Sequence, residues 1–181
     1  MKILIIEGPD NSGKDLLISK IISKFTTSTI IHCKKPDFNI SNELEILYET
    51  YINSINNNKY NTDILIFNRS WLGEYVYGQL YRNKDKNEII NNIKHIENML
   101  KKHNVYYIQL LSSSNVLLLN NEDGLSLSKS SLDKISLENS LFKEVFELSS
   151  IKNKKLVYVN KDDNFREYKD IHNEIFNFLK I

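Results

Sequence analysis

The chain has 181 residues, 41% of them hydrophobic and 26% charged, with a formal net charge of +1. That length favours a single domain, 1–181, with a sizeable core, and so small a net charge argues against a dedicated nucleic-acid-binding module. Cys33 is the only cysteine, which rules out an intrachain disulfide or a zinc–cysteine cluster.

Lys2 to Ile6 is a short apolar run that reads as a buried strand. It is too short for a signal peptide, and no apolar stretch approaches the ~20 residues that span a bilayer, so no membrane partner and a cytoplasmic location are expected. Gly8 to Gly13 forms a loop, and Leu16, Leu17, Ile21 and Phe25 then recur at helical spacing. Ile30 to Cys33 predicts a second strand, followed by a loop with Lys34, Lys35 and Pro36. Asn42 can cap the next helix with Glu45 three residues on, and Leu44, Leu47, Tyr48, Tyr51, Ile52 and Ile55 draw its apolar stripe. Ile64 to Phe67 predicts a third strand ending in Asn68-Arg69-Ser70. An aromatic-rich helix over Trp71 to Tyr81 follows, then a polar turn from Asn83 to Asn87 and an amphipathic helix marked by Ile89, Ile93, Ile96 and Leu100. Val105 to Leu111 predicts a fourth strand and Val116 to Leu119 a helical turn. After the loop 120–124, Leu132, Ile135, Leu141, Val145 and Leu148 predict a helix. Leu156 to Val159 reads as a fifth strand, Asp162-Asp163 as a solvated loop, and Tyr168, Ile171, Ile175 and Phe178 as a final helix.

Strands alternating with helices imply an α/β fold in three layers, a five-stranded parallel sheet flanked by helices. Ligands of such sheets bind beyond the carboxyl ends of the strands. The loop at Gly8, the Lys34 segment and Arg69 all follow strands, so they should converge on one cleft.

Gly8-Pro9-Asp10-Asn11-Ser12-Gly13-Lys14-Asp15, between a strand and a helix, is a P-loop. Its glycines let backbone amides approach phosphate oxygens, the helix N-terminus favours negative charge, and Lys14 can reach a transferring phosphate. Gly8, Asn11, Ser12, Gly13, Lys14 and Asp15 are therefore the expected nucleotide-binding residues. Asp15 stands where the pattern wants a hydroxyl on magnesium. Arg69, at a strand end, can hold a phosphate bidentately; the chain has only two other arginines, Arg82 and Arg166. In the segment from Trp71 to Arg82, aromatic residues at helical spacing fit either core or a substrate pocket. Gly73 and Gly78 suggest close approach by another group. The four histidines, at 32, 95, 103 and 172, read as structural or surface residues.

Ile6 to Lys14 resembles the Phe-Glu-Gly-x-Asp-x-x-Gly-Lys start of thymidylate kinases. Asn68-Arg69-Ser70 falls where that family carries Asp-Arg-x, and the segment from Gly73 to Arg82 is similar to phage-encoded thymidylate-kinase-like proteins. The resemblance implies a kinase fold with ATP on the P-loop, magnesium, and a deoxynucleoside monophosphate acceptor, dTMP or a related pyrimidine nucleotide. It makes Lys14 and Arg69 catalytic and gives Asp10, Lys34, Arg69 and Tyr77 to the substrate, to which the pocket reading of the aromatic segment adds Trp71, Glu74 and Arg82. It also implies a lid near 112–131 and a possible homodimer, for which the Tyr48–Ile55 stripe is the candidate surface. Asp15 and Asn68 exchange the family's hydroxyl-then-carboxylate order for carboxylate-then-amide, so Asp15 is the expected metal contact. Three alternatives stay open, namely a deoxynucleoside kinase, a kinase of bases within DNA, and a nucleotide-binding relative without turnover.

Overall fold

A computed structural model of the protein describes residues 1–33, 43–119, 131–162 and 164–181. Its centre is β1, Lys2–Glu7, where Ile3 to Ile6 are all wholly buried. A continuous apolar run is what a strand needs when both faces of its sheet are covered. Around it the five-stranded sheet is parallel throughout, in the order β2-β3-β1-β4-β5, with β2 Ser28–His32, β3 Ile64–Asn68, β4 Val105–Leu111 and β5 Asn153–Tyr158.

Alternation along the strands divides the core in two. Ile3, Ile5, Phe67 and Tyr107 face one cluster, which is covered by α2 (Glu43–Asn56), α3 (Glu74–Arg82), α4 (Lys86–Met99) and α6 (Leu132–Leu148). Leu4, Ile6, Ile66 and Ile108 face the other, which is covered by α1 (Lys14–Ile22) and α7 (Tyr168–Leu179). The short helix α5, Ser114–Leu119, follows β4. The chain leaves β1 over one face and β3 over the opposite face. These neighbouring strands thus open a crevice at their carboxyl ends, where Ile6 pairs with Asn68.

The expected fold is therefore found; β2 starts two residues earlier than expected, at Ser28, and three further local differences stand out. The aromatic segment is split into a 3₁₀ turn, Trp71–Gly73, and then α3, because Ser70 Oγ accepts the Leu72 amide at 3.2 Å and starts a separate turn. Strand β5 begins three residues early, at Asn153, since an edge strand tolerates the polar residues Asn153, Lys154 and Lys155. The segment around Asp162 is a hairpin, with β6 (Asn160–Lys161) antiparallel to β7 (Asn164–Phe165) and Asp162 at a left-handed φ of 54° in the turn.

The Tyr48–Ile55 stripe is spent inside the molecule: Tyr48, Ile52 and Ile55 are 4%, 0% and 0% exposed against the sheet. It is not available as a dimer surface. Among the described residues, no helix is long and apolar enough to cross a membrane. Lys34, the Asn42 cap, Asp163 and the central part of the expected lid, 120–130, lie outside the described residues.

Candidate active site

The loop after β1 owes its shape to two glycines. Gly8 has φ +155°, and a Cβ there would lie 2.7 Å from the Leu110 carbonyl oxygen and 2.9 Å from Ser12 Oγ. Gly13 has φ +82° and leads directly into α1, so the loop amides and the helix N-terminus share one concavity. Asn11, at φ 63°, takes the third left-handed position, which asparagine tolerates better than most residues.

Lys14 is 7% exposed and folds back over this loop. Its Nζ donates to the carbonyls of Gly8 (2.9 Å) and Pro9 (2.6 Å) and more distantly to Ser12 Oγ (3.4 Å). Burial, reinforced by the nearby Arg69 charge, lowers its pKa to about 8. The ammonium is thus held over the loop in a setting that penalises its charge, which a bound polyanion would favour.

Arg69 reaches the same place from β3. Its backbone is left-handed (φ 67°), its amide donates to the Ile6 carbonyl at 3.1 Å, and its guanidinium forms a direct ion pair with Asp10 of the loop. A non-glycine residue held in this region costs about 1–3 kcal/mol and is sustained only by its surroundings. Tyr77 lies under the guanidinium, its ring centre 5.5 Å from Arg69 Cζ, and its buried hydroxyl has no hydrogen-bond partner among the described residues.

Two buried acids that the sequence reading left without a role support this arrangement. Glu7, wholly buried at the end of β1, accepts Ser70 Oγ–H at 2.7 Å and the Gly73 amide at 3.2 Å through Oε1. It thereby pins the turn that follows Arg69. Burial raises its pKa to about 7, against the lowering influence of Ser70, Arg69 and Lys14. A Cβ on Gly73 would stand 3.3 Å from Glu7 Oε2, the close approach that this glycine suggested. Gly78 does the same for Ile89 at 3.1 Å. Glu138, on α6 and 2% exposed, accepts the Tyr81 hydroxyl, and Tyr81 stacks on Tyr77. Burial raises its pKa too, and Asp10, Lys14 and Arg69 all act on it, so α6 brings a third carboxylate to the site. An acid ending a buried strand was a usable signal for Glu7. For Glu138 no local signal exists, because only the docking of α6 brings it here.

Asp15, exposed in the first turn of α1, accepts Asn68 Nδ2–H at 2.7 Å, and the same nitrogen stands 3.2 Å from His32 Nδ1. The two residues that depart from the thymidylate kinase pattern are therefore partners. An aspartate at both positions would set two carboxylates against each other. The oxygen donor of Asp15 beside the phosphate cradle fits magnesium, and the loop amides with Lys14 fit a nucleotide's phosphates.

The remaining expected substrate residues group elsewhere. Trp71 (2% exposed) and Glu74 line a cavity of about 20 Å³ with Glu45, Tyr48 and Lys84, room for about one water. Arg82 donates to Glu74 Oε1 at 2.7 Å. Trp71 Nε1, Glu74 Oε2 and Arg82 Nε have no hydrogen-bond partner among the described residues.

A strand–loop–helix phosphate cradle with its lysine, faced by an arginine at the end of the neighbouring strand, defines a P-loop phosphotransferase. The family model described as polyphosphate kinase 2 (PPK2) matches residues 1–114, most of the chain, and the protein belongs to that family. No curated protein matches it in sequence. Among solved structures it is similar to the YorR protein of Bacillus subtilis in complex with phosphorylated GDP, with TM-score 0.70 and 15% identity over 98% of this chain and 95% of that one. A thymidylate kinase from Candida albicans gives TM-score 0.63 and 13% identity, over 98% of this chain and 90% of that one. Polyphosphate kinase 2 from Arthrobacter aurescens gives 0.60 and 12%, over 87% of this chain and 60% of that one. The likeness to thymidylate kinases is thus one of fold, while the family is PPK2. The two motifs on which the resemblance rested come together at one crevice and leave the branch open.

Proposed function

We propose that the protein is an ATP- and magnesium-dependent kinase that phosphorylates a deoxynucleoside monophosphate, dTMP or a related pyrimidine nucleotide. The observation that carries this reading is the meeting of Lys14 and Arg69, from different strands, around one cradle with Asp10 between them. Two separately mounted cations suit two separate phosphates, one on the donor and one on the acceptor.

In this reading the loop amides and Lys14 hold the donor phosphates, Lys14 exchanging its loop carbonyls for them. Arg69 grips the acceptor phosphate, Asp10 orients Arg69 and meets the acceptor sugar, and Tyr77 supports both from below. Little covalent work falls to the protein; alignment and charge neutralisation supply the rate. Asp15 would hold magnesium, directly or through water, and the ion would supply charge neutralisation at the donor phosphates. Asp15→Ser combined with Asn68→Asp tests that assignment. Each single change should lower turnover, and the pair should recover it with an altered metal-concentration dependence. An inert wild type activated by Asp15→Ser alone would contradict it.

Membership in the PPK2 family favours a second reading, in which inorganic polyphosphate is one of the two substrates. A coupled ADP-release assay with ATP and each deoxynucleoside monophosphate, run beside ADP with polyphosphate, separates the two. The first reading expects ADP release with dTMP or dCMP. ATP formation from polyphosphate, without ADP release in any nucleotide mixture, would replace it with the second.

A further inference from the structure

A sizeable cavity lies far from the P-loop in the fold. It opens where β4 and β5 begin, at the amino-terminal end of the sheet, and has a volume of about 530 Å³. That is within the range of small-molecule sites, roughly 300–1,000 Å³. Its floor is apolar: Leu100, Val105 and Ile151 are 2%, 7% and 9% exposed and present only their edges. Its rim carries Lys101, Lys152, His103 and Asn153.

The charges are unbalanced in one direction. Neither Lys101 nor Lys152 makes an ion pair among the described residues. Glu97 is the one acid in the lining, and its oxygens are already taken by Ser149 Oγ (2.6 Å), the Ser150 amide (2.7 Å) and Ser150 Oγ (2.6 Å). Its charge is turned inward, onto the loop that ends α6. The last turn of α4 is closed as well, with the Asn98 carbonyl accepting the Lys101 amide and the Leu100 carbonyl accepting that of His103. The helix therefore offers few bare carbonyls to oppose an anion. Two unpaired cations above an apolar floor select a ligand that is anionic at one end and flat and apolar at the other.

We propose that this cavity is a second ligand site that takes a nucleotide, with the ring on Leu100, Val105 and Ile151 and the phosphates on Lys101 and Lys152. The site is independent of the P-loop, since it shares no residue with it, and the claim does not depend on which acceptor the kinase uses.

Calorimetric titration with ATP, paired with NMR of Leu, Val and Ile methyl groups, tests it on three proteins. Wild type should bind two equivalents of ATP. Lys14→Ala should keep one, with the shifts confined to Leu100, Val105 and Ile151. The double variant Lys101→Glu with Lys152→Glu should lose that equivalent and leave basal turnover unchanged. Inorganic tripolyphosphate, which carries the charge without the ring, should bind Lys14→Ala at least 10-fold more weakly than ATP. No ATP bound by Lys14→Ala, or methyl groups at Leu100 and Ile151 that do not move, would overturn the site. A wild type that binds one equivalent and keeps it in Lys14→Ala would fault only the P-loop reading. Equal binding of tripolyphosphate and ATP to Lys14→Ala would overturn its assignment to a nucleotide.

Discussion

Residues 68–82 build two regions that look alike in sequence and differ in construction. At one end, Arg69 sits on a strained left-handed backbone, exposed to the cleft and paired across the crevice with Asp10. A few residues on, Glu74 and Arg82 form an ion pair of similar chemistry, but with side chains only 15% and 12% exposed, beside Trp71 and the α2–α4 packing. The first pair is mounted on strand ends and a phosphate loop, so its charges remain free to exchange partners with a ligand. The second is mounted on one helix and closes on itself. Charge and aromatic content do not separate a site from a core; the element on which the residues are mounted does.

If this contrast is right, the largest effect belongs to the loop lysine. Lys14→Ala removes the cation proposed to track the donor phosphates, and kcat should fall by roughly 10²–10³ while the thermal midpoint stays at or above that of wild type. The midpoint is expected to hold because the ammonium is buried at a cost, with a pKa lowered to about 8. Steady-state kinetics beside a melting curve reads both. A large drop in the melting temperature with kcat preserved would make Lys14 a structural residue.

The second region should answer in the opposite sense. Arg82→Ala strands a largely buried carboxylate, at a cost approaching the ~3–5 kcal/mol of a fully buried pair. The melting temperature should fall by roughly 10 °C with little change in acceptor KM. Replacing both, Glu74→Leu with Arg82→Met, should recover most of the loss. A rise of tenfold or more in acceptor KM at unchanged stability would return Glu74, Arg82 and Trp71 to the substrate.

A smaller, pH-dependent effect belongs to Glu7, which anchors the turn behind Arg69. Its folded-state pKa is raised, so the native protein holds this proton more tightly than the unfolded chain. Stability is then highest below pH 4.5 for this group and is lost as pH rises from 4.5 to about 7. A shift of that size corresponds to about 3 kcal/mol. Glu7→Gln keeps an acceptor for Ser70 and Gly73 and cannot ionise, so denaturant titrations at pH 5 and pH 8 should show it gaining on wild type by about 2–3 kcal/mol between them. Parallel pH profiles for the two proteins would mean that Glu7 does not ionise in this range.

Much of this was legible in the chain itself, and the limits follow from the physics. The apolar run of β1 and the loop from Gly8 to Gly13 are local signals, so strand, loop and helix could be read directly. The meeting of Arg69 with that loop followed from strand-end topology alone. Gly73 and Gly78 announced close contacts without naming Glu7 or Ile89 as the other party. Trp71, Tyr77 and Tyr81 could not be divided between core and site, since helical spacing is the same for both. The early start of β5 was hidden by Lys154 and Lys155, and the hairpin at Asp162 by its polar composition. Glu138 was out of reach because it is defined by tertiary docking.

The account turns on Lys14 and Arg69 serving different phosphates. Arg69→Ala decides it, with ATP affinity measured by calorimetry and acceptor KM by the coupled assay on the same preparation. Loss of a charged bidentate contact of about 1.5–3 kcal/mol should raise the acceptor KM roughly 10- to 100-fold and leave ATP affinity within about twofold. An Arg69→Ala enzyme with unchanged acceptor KM, or with ATP affinity weakened as much as in Lys14→Ala, would contradict it.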